Sequence, residues 1–439
     1  MQIKIKKSVE KIPPSVGYYL KNIPYNIRLG KGYNQFRKIQ ADYESFSSEE
    51  KRTWLFENLK SNLVYFYNSL NFYKSFLDNN NFEQNSFSNL ENYHSVPILN
   101  KKILKSVSLE ERSIKRKTLG LFNTGGTSGN PLSFYLEQNH YAKEWSFMHL
   151  MWGRVGYKFS DIKLTVRGKS IGSGLYRYNL SQNEFIINSF FQYTEKDFMQ
   201  LYKLIVAYNI KFLHGYPSSI YMFLKQAEQY PSFVNLLKSK IKGIIFCSEF
   251  PLPHFRNFIE SLVTENTISF YGHTEGCVLA GELYKKNEYI PYHAYGFTEA
   301  VKFDDTYHLV STNFYNSCTP FIRYDTEDLI EPSFDNKILR SFKIKEGRSG
   351  DFITDKFGAK ISLTSFFFGR HHHIYNYIDH FQVQEVHPGK LIIYIVSKKE
   401  LKNPENYFDL SDFQFEVTFI FVNELYRTPQ GKVPFLIKK

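Results

Sequence analysis

In the middle of the chain two periodicities alternate, and that alternation constrains the fold more than any other feature. Phe198, Leu201, Leu204, Ile205 and Tyr208 recur at three- and four-residue spacing, the stripe of an amphipathic helix. A short, mostly apolar run at 210–213 follows, then a second helix-like segment from Ser218 to about Gln229. The strand-like 243–247, the helical 255–262 and the strand-like 267–270 complete the pattern. Helices alternating with short apolar strands predict βαβ units and a largely parallel sheet. The polar motifs His214-Gly215-Tyr216-Pro217, Ser248-Glu249 and Tyr271-Gly272-His273-Thr274-Glu275 each fall just after one of these strands. Ligands in open α/β sheets bind outside the carboxyl ends of the strands, so three such ends predict one shared cleft.

The flanks read differently. Residues 1–95 are helical and aromatic, with Trp54, Leu55, Leu59, Leu63 and Tyr67 at helical spacing. Residues 391–396 and 415–422 read as strands near the C-terminus. The 439-residue length predicts two or three domains. The expected boundaries are a helical region over 1–95 packed on the large domain, a large domain over 96–350, and a C-terminal domain over 351–439.

Charge and cysteine content remove several functional classes. The net charge of +12 is spread along the chain, and its densest cluster (Arg112, Lys115, Arg116, Lys117) is short. Zinc-finger spacing, a basic zipper and ribonucleoprotein motifs are absent, so no nucleic-acid partner is expected. Three cysteines are too few for a disulfide framework, and no apolar run approaches bilayer length. A cytoplasmic protein without membrane insertion is expected. Consecutive residues diverge on one element, so His371-His372-His373 is not read as a metal site.

Asn123-Thr124-Gly125-Gly126-Thr127-Ser128-Gly129 interleaves glycines with hydroxyls. Such a loop turns backbone N–H groups toward an anion while Thr and Ser add donors. It is not a Walker loop, and Gly168-Lys169-Ser170 also fails that pattern, since Lys163 stands five residues before Gly168. Tyr271 at a strand end can stack on a planar ring, Gly272 lets the backbone approach, and Glu275 offers a hard oxygen for Mg²⁺. Arg323-Tyr324-Asp325-Thr326-Glu327-Asp328, Gly347-Arg348-x-x-Asp351 and Pro429-Gln430-Gly431-Lys432 follow in order.

Taken together these motifs resemble the adenylate-forming superfamily, in wording closest to its phenylacetate–CoA ligase branch, which includes capsular polysaccharide biosynthesis proteins. The likeness runs through HGYPSS at 214–219, YGHTEGCVLAGE at 271–282 and TPFIRYDTED at 319–328. It implies an α/β fold: a large adenylate-forming N-terminal domain with parallel-sheet βαβ units, plus a small α+β C-terminal domain on a hinge at Asp351. It implies ATP and Mg²⁺ as cofactors, with coenzyme A as a further candidate. Thr124, Gly125, Gly126, Thr127, Ser128 and Gly129 would hold the β and γ phosphates. Ser248, Glu249, Tyr271, Gly272, Asp328 and Arg348 would bind the nucleotide, with Asp328 on the ribose. Thr274 would contact phosphate and Glu275 the Mg²⁺, while Lys432 would bridge the carboxylate and the α phosphate. His214, Gly215, Tyr216 and His273 are the candidate acid pocket.

The implied reaction activates a small carboxylic acid as an acyl-adenylate, releases pyrophosphate and passes the acyl group to a thiol, amine or sugar hydroxyl. A role in surface polysaccharide synthesis is the favoured expectation. An acyl- or aryl-CoA ligase is the alternative, and a non-catalytic adenylate-binding protein the third. The family usually has Gly where this chain has Glu327, which predicts a repositioned turn or weaker nucleotide binding next to Asp328.

Overall fold

The computed structural model describes residues 12–83, 86–115, 118–123, 132–167, 171, 174–188, 192–346, 352–358, 360–362, 374, 377–378, 380–397, 401–408, 415–428 and 433–437. The chain forms two compact units: Met1–Asn22 with Val155–Ser269 and Ser349–Lys439, and Ile23–Arg154 with Phe270–Arg348. Strands are numbered along the chain, beginning with the antiparallel pair β1 (Thr118–Asn123) and β2 (Ser133–Glu137) of the second unit.

The first unit is built on the predicted parallel sheet. Its strands are β3 (Lys163–Val166), β4 (Tyr176–Asn179), β5 (Glu184–Ile187), β6 (Phe212–Gly215), β7 (Gly243–Phe246) and the start of β8 (Thr267–Gly272). β5, β3, β6, β7 and β8 are parallel neighbours in that order, and β4 closes the β5 edge antiparallel. Leu164, Val166, Phe185, Ile187, Leu213, Ile244 and Phe246 form one apolar core with Phe198, Leu201, Leu204 and Ile205 of helix Glu195–Ala207. That helix starts on a capping box between Thr194 and Asp197. The helices Pro217–Ala227, Pro231–Lys240 and Pro253–Leu262 each open on proline, whose missing N–H is unneeded at a first turn.

Two strands run further than the apolar runs suggest. β6 includes His214 and Gly215, and β8 includes Tyr271 and Gly272, so these motif residues lie inside strands rather than after them. Gly215 permits this in β6: its φ is +153°, and a Cβ there would come within 1.8 Å of the Val166 carbonyl oxygen.

The second unit holds helices Tyr25–Leu29, Gly32–Ser45, Ser48–Ser69, Asn71–Asn79 and His140–Trp152. Leu55, Leu59 and Leu63 of Ser48–Ser69 are buried as their spacing requires. The end of β8 pairs with β9 (Leu279–Gly281), and β9 with β10 (Ile290–Pro291). A four-stranded antiparallel sheet follows, which the sequence pattern did not reveal: β11 (Gly296–Phe303), β12 (Thr306–Asn313), β13 (Tyr324–Asp335) and β14 (Ile338–Glu346). Arg323 ties the preceding chain to it, donating to the carbonyls of His94 and Val96 and pairing with Glu299 at 3.2 Å.

C-terminal to these, β15 (Phe352–Thr354) pairs with β16 (Lys360–Ser362). The sheet β17 (His380–His387), β18 (Lys390–Val396), β19 (Glu416–Phe421) and β20 (Leu436–Ile437) has its own core around Phe381, Val383, Leu391 and Ile393. The predicted strands at 391–396 and 415–422 are β18 and β19. Among the described residues no helix is long and apolar enough to cross a membrane.

Candidate active site

In the second unit, Tyr271 lies near the end of β8. Its main chain pairs with Ala280, and its hydroxyl donates to the Asp328 carboxylate. Asp328 reaches this position because β13 bulges. The register slips opposite Leu309, where Thr326 Oγ1 donates to the Leu309 carbonyl at 2.8 Å. Bulges re-aim side chains next to binding sites. Glu327 lies inside the bulge with φ +66°, and its N–H donates to Asp325 Oδ1 at 2.8 Å. The turn is therefore held by Asp325 and Thr326, and Glu327 adopts the left-handed backbone that glycine favours.

Beyond β8, Glu275 is buried and Thr274 exposed. His273 Nδ1 lies 3.1 Å from Glu275 Oε2, and its buried Nε2 has no partner among the described residues. The loop is clamped through its main chain. Asn313 Nδ2 donates to the carbonyls of Glu275 (3.2 Å) and Gly276 (2.7 Å), and Lys143 Nζ donates to the latter at 2.9 Å. Gly276 has φ +66°, and a Cβ there would meet the His140 ring at 2.9 Å. Lys143 sits 3.8 Å over the Tyr295 ring, and burial pushes its ammonium down to about 8. The Tyr295 hydroxyl donates to Glu144, whose carboxyl burial raises. Sequence reasoning missed Lys143 and Glu144. The one visible signal was a charged pair within the otherwise apolar helix His140–Trp152.

In the first unit, strand alternation sorts the parallel sheet into two faces. Leu164, Val166, Leu213, Ile244 and Phe246 enter the apolar core. Lys163, Thr165, Glu184 and His214 alternate with them and are buried polar groups. Continuing the register past the strand ends places Arg167, Tyr216 and Cys247 on that second face.

Glu184 is its anchor. Oε1 accepts from Arg167 Nη2 at 2.6 Å and Asn179 Nδ2 at 2.9 Å, and Oε2 accepts from Thr165 Oγ1 at 2.7 Å. Burial alone would raise this carboxyl, but Arg167, Lys163 and the Thr165 hydroxyl overcome burial and hold it at about 2. His214 Nδ1 lies 3.4 Å from Thr165 Oγ1, and burial, aided by Lys163, pushes the imidazole down to about 3. Burial raises the Tyr216 phenol to about 12. His214 and Tyr216 are thus neutral groups at neutral pH.

Glu249 Oε2 accepts from the Ser218 N–H at 3.3 Å, a carboxylate at the start of helix Pro217–Ala227. Its neighbour Ser248 is exposed with φ +63°. Strained backbone of this kind gathers at functional sites.

No protein-family model matches the chain, and no curated protein matches it. Solved structures do. The chain is similar to 2-hydroxyisobutyryl-CoA ligase in the postadenylation state, in complex with R3-HIB-AMP. The TM-score is 0.64 at 13% identity, over 90% of this chain and 91% of that one. This is the fold of an adenylate-forming ligase. An open conformation of the same ligase, in complex with 2-HIB-AMP and CoA, matches with TM-score 0.54 at 13% identity, over 90% of this chain and 93% of that one.

Within this fold, the described candidate residues fall into two groups. Tyr271, Gly272, His273, Thr274, Glu275 and Asp328 belong to the second unit, and His214, Gly215, Tyr216, Ser248 and Glu249 to the first. Thr124, Gly125, Gly126, Thr127, Ser128, Gly129, Arg348, Asp351 and Lys432 lie outside the described residues. Cys277 is buried beside the site, and burial pushes its thiol up, so it is no nucleophile at neutral pH.

Proposed function

We propose that this chain is an ATP-dependent acid ligase that works through an acyl-adenylate. The observation that carries the reading is the pairing of Tyr271 with Asp328, an aromatic ring and a carboxylate joined at a strand end. It occurs in a fold shared with a ligase solved in complex with an acyl-AMP. The ring offers a stacking face for the adenine, and the carboxylate accepts from ribose hydroxyls.

The substrate carboxylate attacks the α-phosphorus, a P–O bond forms, and pyrophosphate leaves with the electrons of the bond that breaks. An acceptor then attacks the acyl carbon and releases AMP. Thr124 to Gly129 hold the β and γ phosphates through N–H and hydroxyl donors. Lys432 sits between the carboxylate and the α-phosphate, offsetting the repulsion of two anions where charge accumulates. The donors at the loop fit a hard cation: Glu275 supplies a buried carboxylate, and the exposed Thr274 before it in the chain carries a hydroxyl. Mg²⁺ held there would neutralise phosphate charge. His273 and Asn313 fix the carboxylate and its main chain. Arg348 lies near the ribose, and Asp351 is the hinge of a C-terminal domain starting at 351.

Of the expected acceptors, a thiol has a specific supporting observation, since similar structures are in complex with CoA. An amine or sugar hydroxyl, with a place in surface polysaccharide synthesis, follows from the resemblance of the motifs alone.

The test is pyrophosphate release from Mg·ATP across a panel of carboxylic acids, with hydroxylamine as a generic acceptor. Acid-dependent release that collapses in Lys432→Ala supports the ligase. ATP binding without release for any acid rejects it in favour of a non-catalytic adenylate-binding protein. CoA, amines and sugars added in turn identify the acceptor.

A further inference from the structure

Within the second unit, two consecutive residues of β12 hold the bulge of β13 across the strand gap. Val310 pairs with Asp325 and His308 with Leu329, so Thr326, Glu327 and Asp328 stand opposite Leu309 alone. Leu309 holds this loop by its carbonyl, which accepts from Thr326 Oγ1. His308 holds it by its side chain. Its main chain registers with Leu329, after the bulge, while its Nδ1 reaches back to Asp325, before the bulge, 3.2 Å from Oδ1 and 3.1 Å from Oδ2. Against a carboxylate, which accepts, Nδ1 is the donor. One residue thus joins both ends of the loop that carries Asp328.

Asp325 passes this hold on. Its Oδ1 accepts the Glu327 N–H at 2.8 Å, the bond that fixes the left-handed turn before Asp328. Among the described residues, His308 is the one side chain that bonds the Asp325 carboxylate. The Arg323 guanidinium, two residues earlier, is committed to Glu299 and to the carbonyls of His94 and Val96. The imidazole is set in turn by the Phe303 ring, 4.6 Å away between centroids. Only 18% of the His308 side chain and 12% of the Asp325 side chain are open, so water competes weakly for the bond.

We infer that His308 is a positioning residue for the nucleotide: through Asp325 it keeps the Glu327 turn closed and the Asp328 carboxylate aimed at the ribose. The inference rests on the ligase reading and adds to it a residue that acts through another. Without the imidazole, Asp325 loses its tie to β12, and the loop gains freedom that ATP binding must then remove.

The experiment measures equilibrium binding of Mg·ATP to the full chain, then KM and kcat by pyrophosphate release with the acid that best supports it. His308→Phe keeps a ring against Phe303 and removes the donor. It is expected to raise the Kd and KM for ATP about fivefold or more while kcat changes less than about twofold. Asn places its amide nitrogen where Nδ1 stands, so His308→Asn is expected to bind ATP within about twofold of wild type. Gln places its nitrogen where Nε2 stands, and His308→Gln should behave as His308→Phe. Asp325→Ala is expected to weaken binding at least as much, and adding His308→Phe to it should cost nothing further, because residues in one bonded chain do not add. An unchanged Kd in His308→Phe, or losses that add in the double variant, overturn the inference and leave the ligase standing. So does a fall in kcat as large as the rise in KM. ATP binding without release for any acid rejects the ligase, and the Kd values then decide on His308 by themselves. A wild type that binds no ATP overturns both. Should His308→Phe fail to fold, His308→Gln takes its place.

Discussion

The Tyr271 hydroxyl donates to the carboxylate of Asp328, 57 residues further along the chain, so the end of a sheet strand and a bulge in an antiparallel sheet are joined by one charge-assisted bond. The bond fixes the ring plane and aims the carboxylate. On the proposed ligase reading, its two ends contribute differently to nucleotide binding. Phe at 271 keeps the stacking face and loses only the hydroxyl, whereas Ala at 328 removes the ribose acceptor itself. Asp328→Ala is expected to raise the KM for ATP about tenfold or more, and Tyr271→Phe by a smaller factor. Pyrophosphate exchange at varied ATP measures both, and the reverse ranking would reject the assigned roles.

Glu327 carries a backbone conformation meant for another residue. Its φ of +66° costs a side-chain-bearing residue about 1–2 kcal/mol, part of which glycine returns through the greater freedom of its unfolded chain. Glu327→Gly is therefore expected to stabilise the protein by about 0.5–1 kcal/mol. Urea unfolding checks the sign: a lower midpoint in the variant would mean that the glutamate side chain contributes more than its backbone loses.

The parallel half of the fold was legible because its strands are short apolar runs and its helices carry a clean stripe with a cap, as at Thr194 and Phe198. The polar motifs then placed the candidate residues at strand ends. What stayed hidden was the second face of the same sheet. In Lys163-Leu164-Thr165-Val166-Arg167 a strict alternation of polar and apolar residues has the pattern of a half-exposed strand, yet Lys163, Thr165 and Glu184 are fully buried. Only tertiary pairing of Arg167 and Asn179 with Glu184 explains how charge is tolerated there. Lys143 was hidden for the opposite reason, as its helix is mostly apolar and the lysine's partner is a main-chain carbonyl 133 residues away. The sheet β11–β14 was missed where bulges at Leu309 and Leu329 break the two-residue period.

Glu184 is expected to contribute a stability that acid removes. Its carboxyl is held at about 2 in the native protein against an ordinary value of 4.5, so the unfolded chain takes up a proton first as pH falls. The contribution is complete above about pH 4.5 and is lost as pH falls from there toward 2. Glu184→Gln, which leaves Arg167 and Lys163 without their carboxylate, is expected to cost about 3–5 kcal/mol at neutral pH. The gap between wild type and variant, followed by urea unfolding, should narrow below about pH 4.5.

His214 has a separate acid window. Burial, with help from Lys163, pushes its imidazole down to about 3, while in the unfolded chain it titrates near 6.5. Between those values the unfolded chain binds a proton that the native protein refuses, so stability declines as pH falls below about 6.5. His214→Gln keeps a polar side chain without the titration. It is expected to remove the part of the pH slope between about 6.5 and 4.5, before Glu184 enters. An unchanged slope over that interval would show that His214 takes up its proton in the native state.

Lys143 separates holding the loop from holding the fold. Its ammonium is buried, donates to the Gly276 carbonyl and lies over the Tyr295 ring. Methionine has nearly the same length and no charge to bury, so Lys143→Met is expected to leave stability within about 1 kcal/mol of wild type. The carbonyl of Gly276 then keeps Asn313 alone, and the Thr274–Glu275 segment loses one of its two anchors. Small displacements of a positioned group reduce turnover steeply, so kcat for pyrophosphate release should fall about tenfold or more. The KM for ATP should move less, because Tyr271 and Asp328 are untouched. Asn313→Ala removes the other anchor and should produce the same split between kcat and KM. Equal losses in stability and turnover for Lys143→Met would instead assign the lysine to the core of the second unit.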